Sequence, residues 1–204
     1  MRNLMIYAAL AAFGAVGAAS AATVYSEDFE GNLLATNSTP EGWTLDSGSV
    51  DTIGTGFFEW YGEGTYIDMN GSTSTAGSIS TSVTGLTVGD SYTLTFDVGY
   101  NNNSGNAEQL SFAIGDLAGS YGSPILSGSS TFLTLSYTFT ATAETETLMF
   151  ADTGNSDGDD GGPILDNINV SSISPAPVPL PAAGLMLLAG LGGLAAVRRR
   201  KGAK

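Results

Sequence analysis

Apolar and polar residues alternate strictly along several short stretches of the chain. Tyr92, Leu94, Phe96 and Val98 are separated by Thr93, Thr95 and Asp97, and Leu133 to Phe139 repeats the pattern. Leu110 to Ile114 is a third case, and in Ile164 to Val170 the residues Ile164, Asp166, Ile168 and Val170 fall on one side. A period of two places every second side chain on the same face of a strand, so each stretch predicts a strand with one buried face. Further strands are predicted at Val24 to Phe29, Gly42 to Leu45, Phe57 to Tyr61, Thr65 to Met69, Ser78 to Val83 and Thr145 to Phe150. Turn signals such as Val88-Gly89-Asp90, Asn103-Ser104-Gly105 and Asp157-Gly158 separate them. No helical period is sustained between the two ends. The expected fold class is all-β: a two-sheet β-sandwich of jelly-roll type over residues 23–174.

The ends read differently. Arg2, the apolar run Leu4 to Val16 and the small-residue site Ala19-Ser20-Ala21 predict a signal peptide over residues 1–22. At the other end, residues 175–181 form a Pro-rich linker with Pro175, Pro177, Pro179 and Pro181. Residues 182–197 carry no charge and predict a transmembrane helix. These sixteen residues span about 24 Å as a helix, short of a hydrocarbon core of about 30 Å. Snorkelling of the arginines beyond makes up the difference. Arg198, Arg199, Arg200 and Lys201 in the basic tail 198–204 place that end in the cytoplasm and the sandwich outside.

Charge sharpens the picture. The net charge is -14, from 6 basic and 20 acidic residues. The basic residues are Arg2 and those from Arg198 onward; the acidic ones lie between Glu27 and Asp166. The domain between the ends therefore carries 0 minus 20, or -20. Nucleic acid is excluded as a partner, because phosphate binding needs Lys or Arg. There is no Cys and no His, so no disulfide framework supports the exported domain. Most nucleophile–base pairs and phosphate clamps are also missing. Carboxylate-only glycoside hydrolysis is formally open, but nothing marks a carboxylate pair. The expectation is a protein that is not an enzyme.

Val178-Pro179-Leu180-Pro181-Ala182, the apolar stretch and the terminal Arg cluster together resemble the VPLPA subclass of the PEP-CTERM sorting signal. The resemblance covers about the last 27 residues. It implies a membrane exosortase as processing partner, with passage through the inner membrane to the cell surface or extracellular matrix. A second resemblance rests on Asp28-Phe29-Glu30, Gly42-Trp43, Tyr66-Ile67-Asp68-Met69-Asn70-Gly71, Gly85-Leu86 to Phe96, and Gly162-Pro163-Ile164-Leu165-Asp166-Asn167-Ile168. These segments are similar to galactose-binding-like jelly rolls, which bind sugars or structural calcium.

Three groups are candidate sites. Asn155, Asp157 and Asp159 have the spacing of an EF-hand start, but Gly161 falls one place late and no Glu follows at the twelfth position. The loop is either a calcium ligand set of another kind or a solvated acidic turn. The second resemblance implies that first and last strands meet. Glu27, Asp28 or Glu30 would then share a structural calcium ion with Asp166; the alternative is that Asp166 is hydrogen-bonded and pins the last strand. Finally, Phe57-Phe58-Glu59-Trp60-Tyr61 contains Trp60 and Tyr61, which with Tyr100 suit a sugar-stacking platform. The competing expectation is that Phe58 and Trp60 are core residues on one side of a strand. The function expected from the sequence is a non-catalytic surface or matrix protein, structural or adhesive, with exopolysaccharide as a partner. The alternative is a carbohydrate-binding module.

Overall fold

The structure, a computed structural model, describes residues 21–62, 64–101, 108–123, 131–154 and 161–173. The signal peptide, the Val178–Ala182 motif, the apolar stretch 182–197 and Arg198 to Lys201 lie outside the described residues. Residues 21–173 form one compact unit.

Thirteen strands occur among the described residues: β1 (Thr23–Glu27), β2 (Thr44–Ser47), β3 (Asp51–Gly54), β4 (Thr65–Asp68), β5 (Asn70–Gly71), β6 (Thr75–Ala76), β7 (Ser78–Thr84), β8 (Ser91–Tyr100), β9 (Glu108–Ile114), β10 (Leu117–Ser123), β11 (Leu133–Thr140), β12 (Thr145–Asp152) and β13 (Pro163–Ser172). One sheet runs β11-β8-β13-β4-β3, and β1 also pairs with β13. The other runs β10-β9-β12-β7-β2, and β5 and β6 form a small ribbon. All pairs are antiparallel. No helix occurs among the described residues. The result is a β-sandwich.

Alternation explains the core. Tyr92, Leu94, Phe96 and Val98 of β8 are buried against Leu110, Phe112 and Ile114 of β9 and Leu148 and Phe150 of β12. Phe96 lies 5.1 Å from Phe112 and 5.0 Å from Phe150, ring centre to ring centre. Each such side chain contributes about 1.5–3 kcal/mol of burial, and edge-on aromatic contact adds to it.

Three expectations need correction. Phe57 to Tyr61 is not a strand: apart from a bridge between Gly54 and Phe57 it runs through turns, with Phe58 at φ 52° in the left-handed region. Second, β13 does not keep one face. A bulge between Asp166 and Asn169, with Asn167 at φ 48°, inserts one residue and reverses the alternation. Leu165, Ile168 and Val170 therefore face the core, and Ile164 faces away from it. Third, β3 and β10 carry no alternating signal in the sequence. In β10 the inward positions are Leu117, Gly119 and Tyr121. Glycine takes the middle one because the Phe112 ring occupies its space: an added Cβ would come within 2.7 Å of that ring.

Candidate functional site

Part of the outer face of the β3–β4–β13 region is apolar. Ile53, Tyr66 and Ile164 form a second buried cluster there, and Phe57, Trp60, Tyr61 and Phe132 pack over it. Loop 55–64 supplies three of these covering residues. An apolar patch on the outer face must be covered, and the aromatic loop between β3 and β4 folds back to do so.

Two phenols hold the loop. The Tyr66 hydroxyl, fully buried, accepts hydrogen bonds from the backbone N–H of Trp60 (2.7 Å) and of Tyr61 (3.2 Å) and donates to the Phe58 carbonyl at 3.4 Å. The Tyr61 hydroxyl donates to the Tyr100 carbonyl at 2.6 Å and accepts from the Tyr100 N–H. Burial raises the Tyr61 phenol above its ordinary value, so it stays protonated and able to donate. Its ring stacks on Phe132 at 4.3 Å and lies over Gly99, where a Cβ would come within 2.5 Å of the ring.

What remains outward is a ledge. Phe58 is 49% exposed and Trp60 is half-buried, with ring centres 6.1 Å apart and planes at 36°. Phe57 braces Phe58 edge-on at 4.8 Å. Carboxylates hold the two ends of the loop: Glu59 accepts the Gly56 N–H at 3.1 Å, and Glu30 accepts the Thr65 N–H at 2.9 Å. Flat rings beside acceptor oxygens suit the apolar face and hydroxyls of a sugar. Trp60 and Tyr61 both pack over the buried cluster, and Tyr61 acts as the bracket of the loop. Tyr100 does not join the platform: only 4% of it is exposed, and its backbone serves as the anchor for Tyr61. Phe58, a core residue under the competing expectation, is the most exposed ring of the group, because the left-handed turn lifts it away from the sheet.

The acidic group at the chain ends is also assembled. Asp166 is buried, its neighbours include Asp97, Glu30 and Asp28, and its carboxyl is pushed up to about 7 by burial first and by those charges second. The Asn167 N–H donates to it at 2.7 Å. Glu27 accepts the Phe29 N–H at 2.8 Å and Asp28 the Glu30 N–H at 3.2 Å, so these carboxylates cap a tight turn after β1. Among the described residues no group of three or more acidic side chains is placed to hold a metal ion. Asn155, Asp157 and Asp159 lie outside the described residues.

Among the buried acids that the sequence pattern does not mark are Asp51 and Asp68. The two are direct cross-strand partners in β3 and β4, both almost fully buried. Asp68 accepts the N–H groups of Asn70 and Gly162, each at 3.0 Å, and the Asn101 amide at 2.6 Å. Asp51 accepts from Asn37 (2.7 Å) and from the N–H and hydroxyl of Ser72 (3.0 and 2.6 Å). Burial lifts the Asp68 carboxyl well above the usual range. The available signal was an aspartate set between Ile67 and Met69. These acids tie loops to strands.

Residues 22–171 match the model of a family described as "Protein of unknown function (DUF642)". No curated protein matches the sequence. Among solved structures, the CBM22-1 xylan-binding domain of Paenibacillus barcinonensis Xyn10C is similar, with a TM-score of 0.50 and 15% identity over 78% of this chain and 100% of that one. The CBM22-1–GH10 modules of Clostridium thermocellum xylanase 10B, complexed with xylohexaose, align at TM-score 0.48 and 13% identity over 78% and 30%. A carbohydrate-binding module of Cellvibrio mixtus lichenase 5A, complexed with cellotriose, aligns at 0.41 and 19% over 75% and 100%. The first of these likenesses places the fold among jelly rolls of the carbohydrate-binding-module type.

Proposed function

This chain belongs to the DUF642 family, and we propose that its sandwich is a non-catalytic carbohydrate-binding domain that uses the Phe58–Trp60 ledge. One observation carries the reading: two aromatic rings stand outward on a loop that Tyr66 and Tyr61 hold rigid through five hydrogen bonds. Exposing aromatic surface to water costs free energy, which a covering ligand recovers. A loop held in place before binding loses little entropy when a ligand arrives. The fold shared with a domain named for xylan binding supports the reading. A glycan array tests it, with the wild-type chain beside Trp60→Ala and Phe58→Ala. Binding to at least one glycan is expected, lost in both variants, with the melting temperature unchanged in Phe58→Ala and lowered in Trp60→Ala, whose ring also covers the buried cluster. No signal from the wild type sinks the proposal.

Delivery of the domain rests on the sequence ends. Residues 1–22 export it; residues 182–197 with Arg198 to Lys201 hold it in the inner membrane; and Val178 to Ala182 present it to an exosortase for release to the cell surface or matrix. Exopolysaccharide is then the glycan within reach. Mass spectrometry of the protein from its native cells reads both termini. An intact C-terminus on surface-exposed protein is incompatible with exosortase cleavage.

A further inference from the structure

We propose that the ledge takes uncharged glycans and refuses those bearing uronate groups, and that Glu59 sets this choice. The inference rests on the reading of Phe58 and Trp60 as a sugar platform. Glu59 lies between those two residues in the chain and is exposed. Its Oε2 accepts the Gly56 N–H at 3.1 Å, which leaves lone pairs of an ionised carboxylate for a ligand. Such a group only accepts hydrogen bonds. A sugar hydroxyl donates to it, and the bond is charge-assisted. A sugar carboxylate has no proton to give at neutral pH and meets a like charge.

The surroundings offer no relief. Glu30 borders the loop through Thr65 and sits close enough to Asp166, with Asp28 and Asp97, to raise the Asp166 carboxyl. No Lys, Arg or His occurs between Arg2 and Arg198, so no side chain of the domain can pair with a uronate. Anionic polymers therefore meet repulsion from several carboxylates at once.

Affinity gels with the full-length chain in detergent and EDTA test the proposal. One gel holds hydroxyethyl cellulose, one neutral arabinoxylan and one polygalacturonate, with the wild type, Glu59→Gln and Trp60→Ala run side by side. At least one neutral polymer should retard the wild type, and polygalacturonate at least tenfold more weakly. Glu59→Gln should narrow that ratio at least threefold. Equal retardation by polygalacturonate, or an unchanged ratio in Glu59→Gln, overturns the proposal. If Trp60→Ala still abolishes retardation in that case, the platform itself stands. Absence of wild-type retardation by every polymer overturns the platform and, with it, the preference.

Discussion

Asp97 and Asp166 face each other across β8 and β13, and the side-chain amide of Asn167 donates to both carboxylates, at 2.9 and 3.2 Å. Like charges directly opposite in a sheet repel. The bulge that brings Asn167 into the left-handed region also puts its amide between them. No Lys, Arg or His lies between Arg2 and Arg198, so the amide stands where a cationic side chain would otherwise serve.

The pH dependence of stability follows from that pair. The unfolded chain releases the Asp166 proton near 3.8, whereas the folded domain keeps it to about 7. Between those values the native state binds more protons, so stability is greatest on the acid side and falls as pH rises through the window. The fall is at most about 1.4 kcal/mol per pH unit for one proton, and it stops above about pH 7. Asp68, raised by burial, acts in the same direction. Asp166→Asn should flatten the slope and stabilise the domain at pH 8. Urea unfolding at pH 5 and pH 8 measures this; equal slopes in both proteins contradict the role of Asp166.

Tyr66→Phe removes one oxygen and leaves two part-buried N–H groups, those of Trp60 and Tyr61, without their acceptor. A loss of about 1–3 kcal/mol is expected. Any glycan binding by the ledge should weaken with it, because the loop loses its bracket. A denaturant titration and a glycan titration of the same variant check both effects.

Gly99→Ala places a methyl within 2.5 Å of the Tyr61 ring. The ring must move off β8, which breaks its hydroxyl contacts with Tyr100. Overpacking of this kind costs about 1–3 kcal/mol. The near-ultraviolet circular dichroism of Tyr61 and Phe132 should change. An unaltered spectrum and stability mean that Tyr61 is not seated there.

Phe150→Ala and Phe58→Ala make opposite predictions from the same substitution. Phe150 is fully buried between Phe96 and Trp43, and its loss should cost about 3–5 kcal/mol. Phe58 is half exposed, so its loss should stay within about 0.5 kcal/mol while abolishing stacking. Thermal unfolding of both variants separates the core ring from the ledge ring.

Much of the sandwich could be read from residues. Alternation located β8, β9 and β11, and it identified Tyr92, Leu94, Phe96 and Val98 as one buried face. The aromatic loop was legible as chemistry but not as shape. Phe57 to Tyr61 satisfies strand propensity, and only contact with Tyr66 and Gly99 turns it into a ledge. The acidic meeting of Asp28, Glu30 and Asp166 was inferred from resemblance, whereas Asp97 was not foreseen, because its strand neighbour is set by sheet order.

The chain by itself determined the class of fold and the sign of its field. Side-chain direction in a strand has period two, and charge is a property of composition; neither needs a partner. Tertiary structure alone decided which rings stay outside, where β13 changes face, and why β10 holds a glycine under Phe112. Each of these depends on atoms from distant segments competing for the same space, and local periodicity carries no record of that competition.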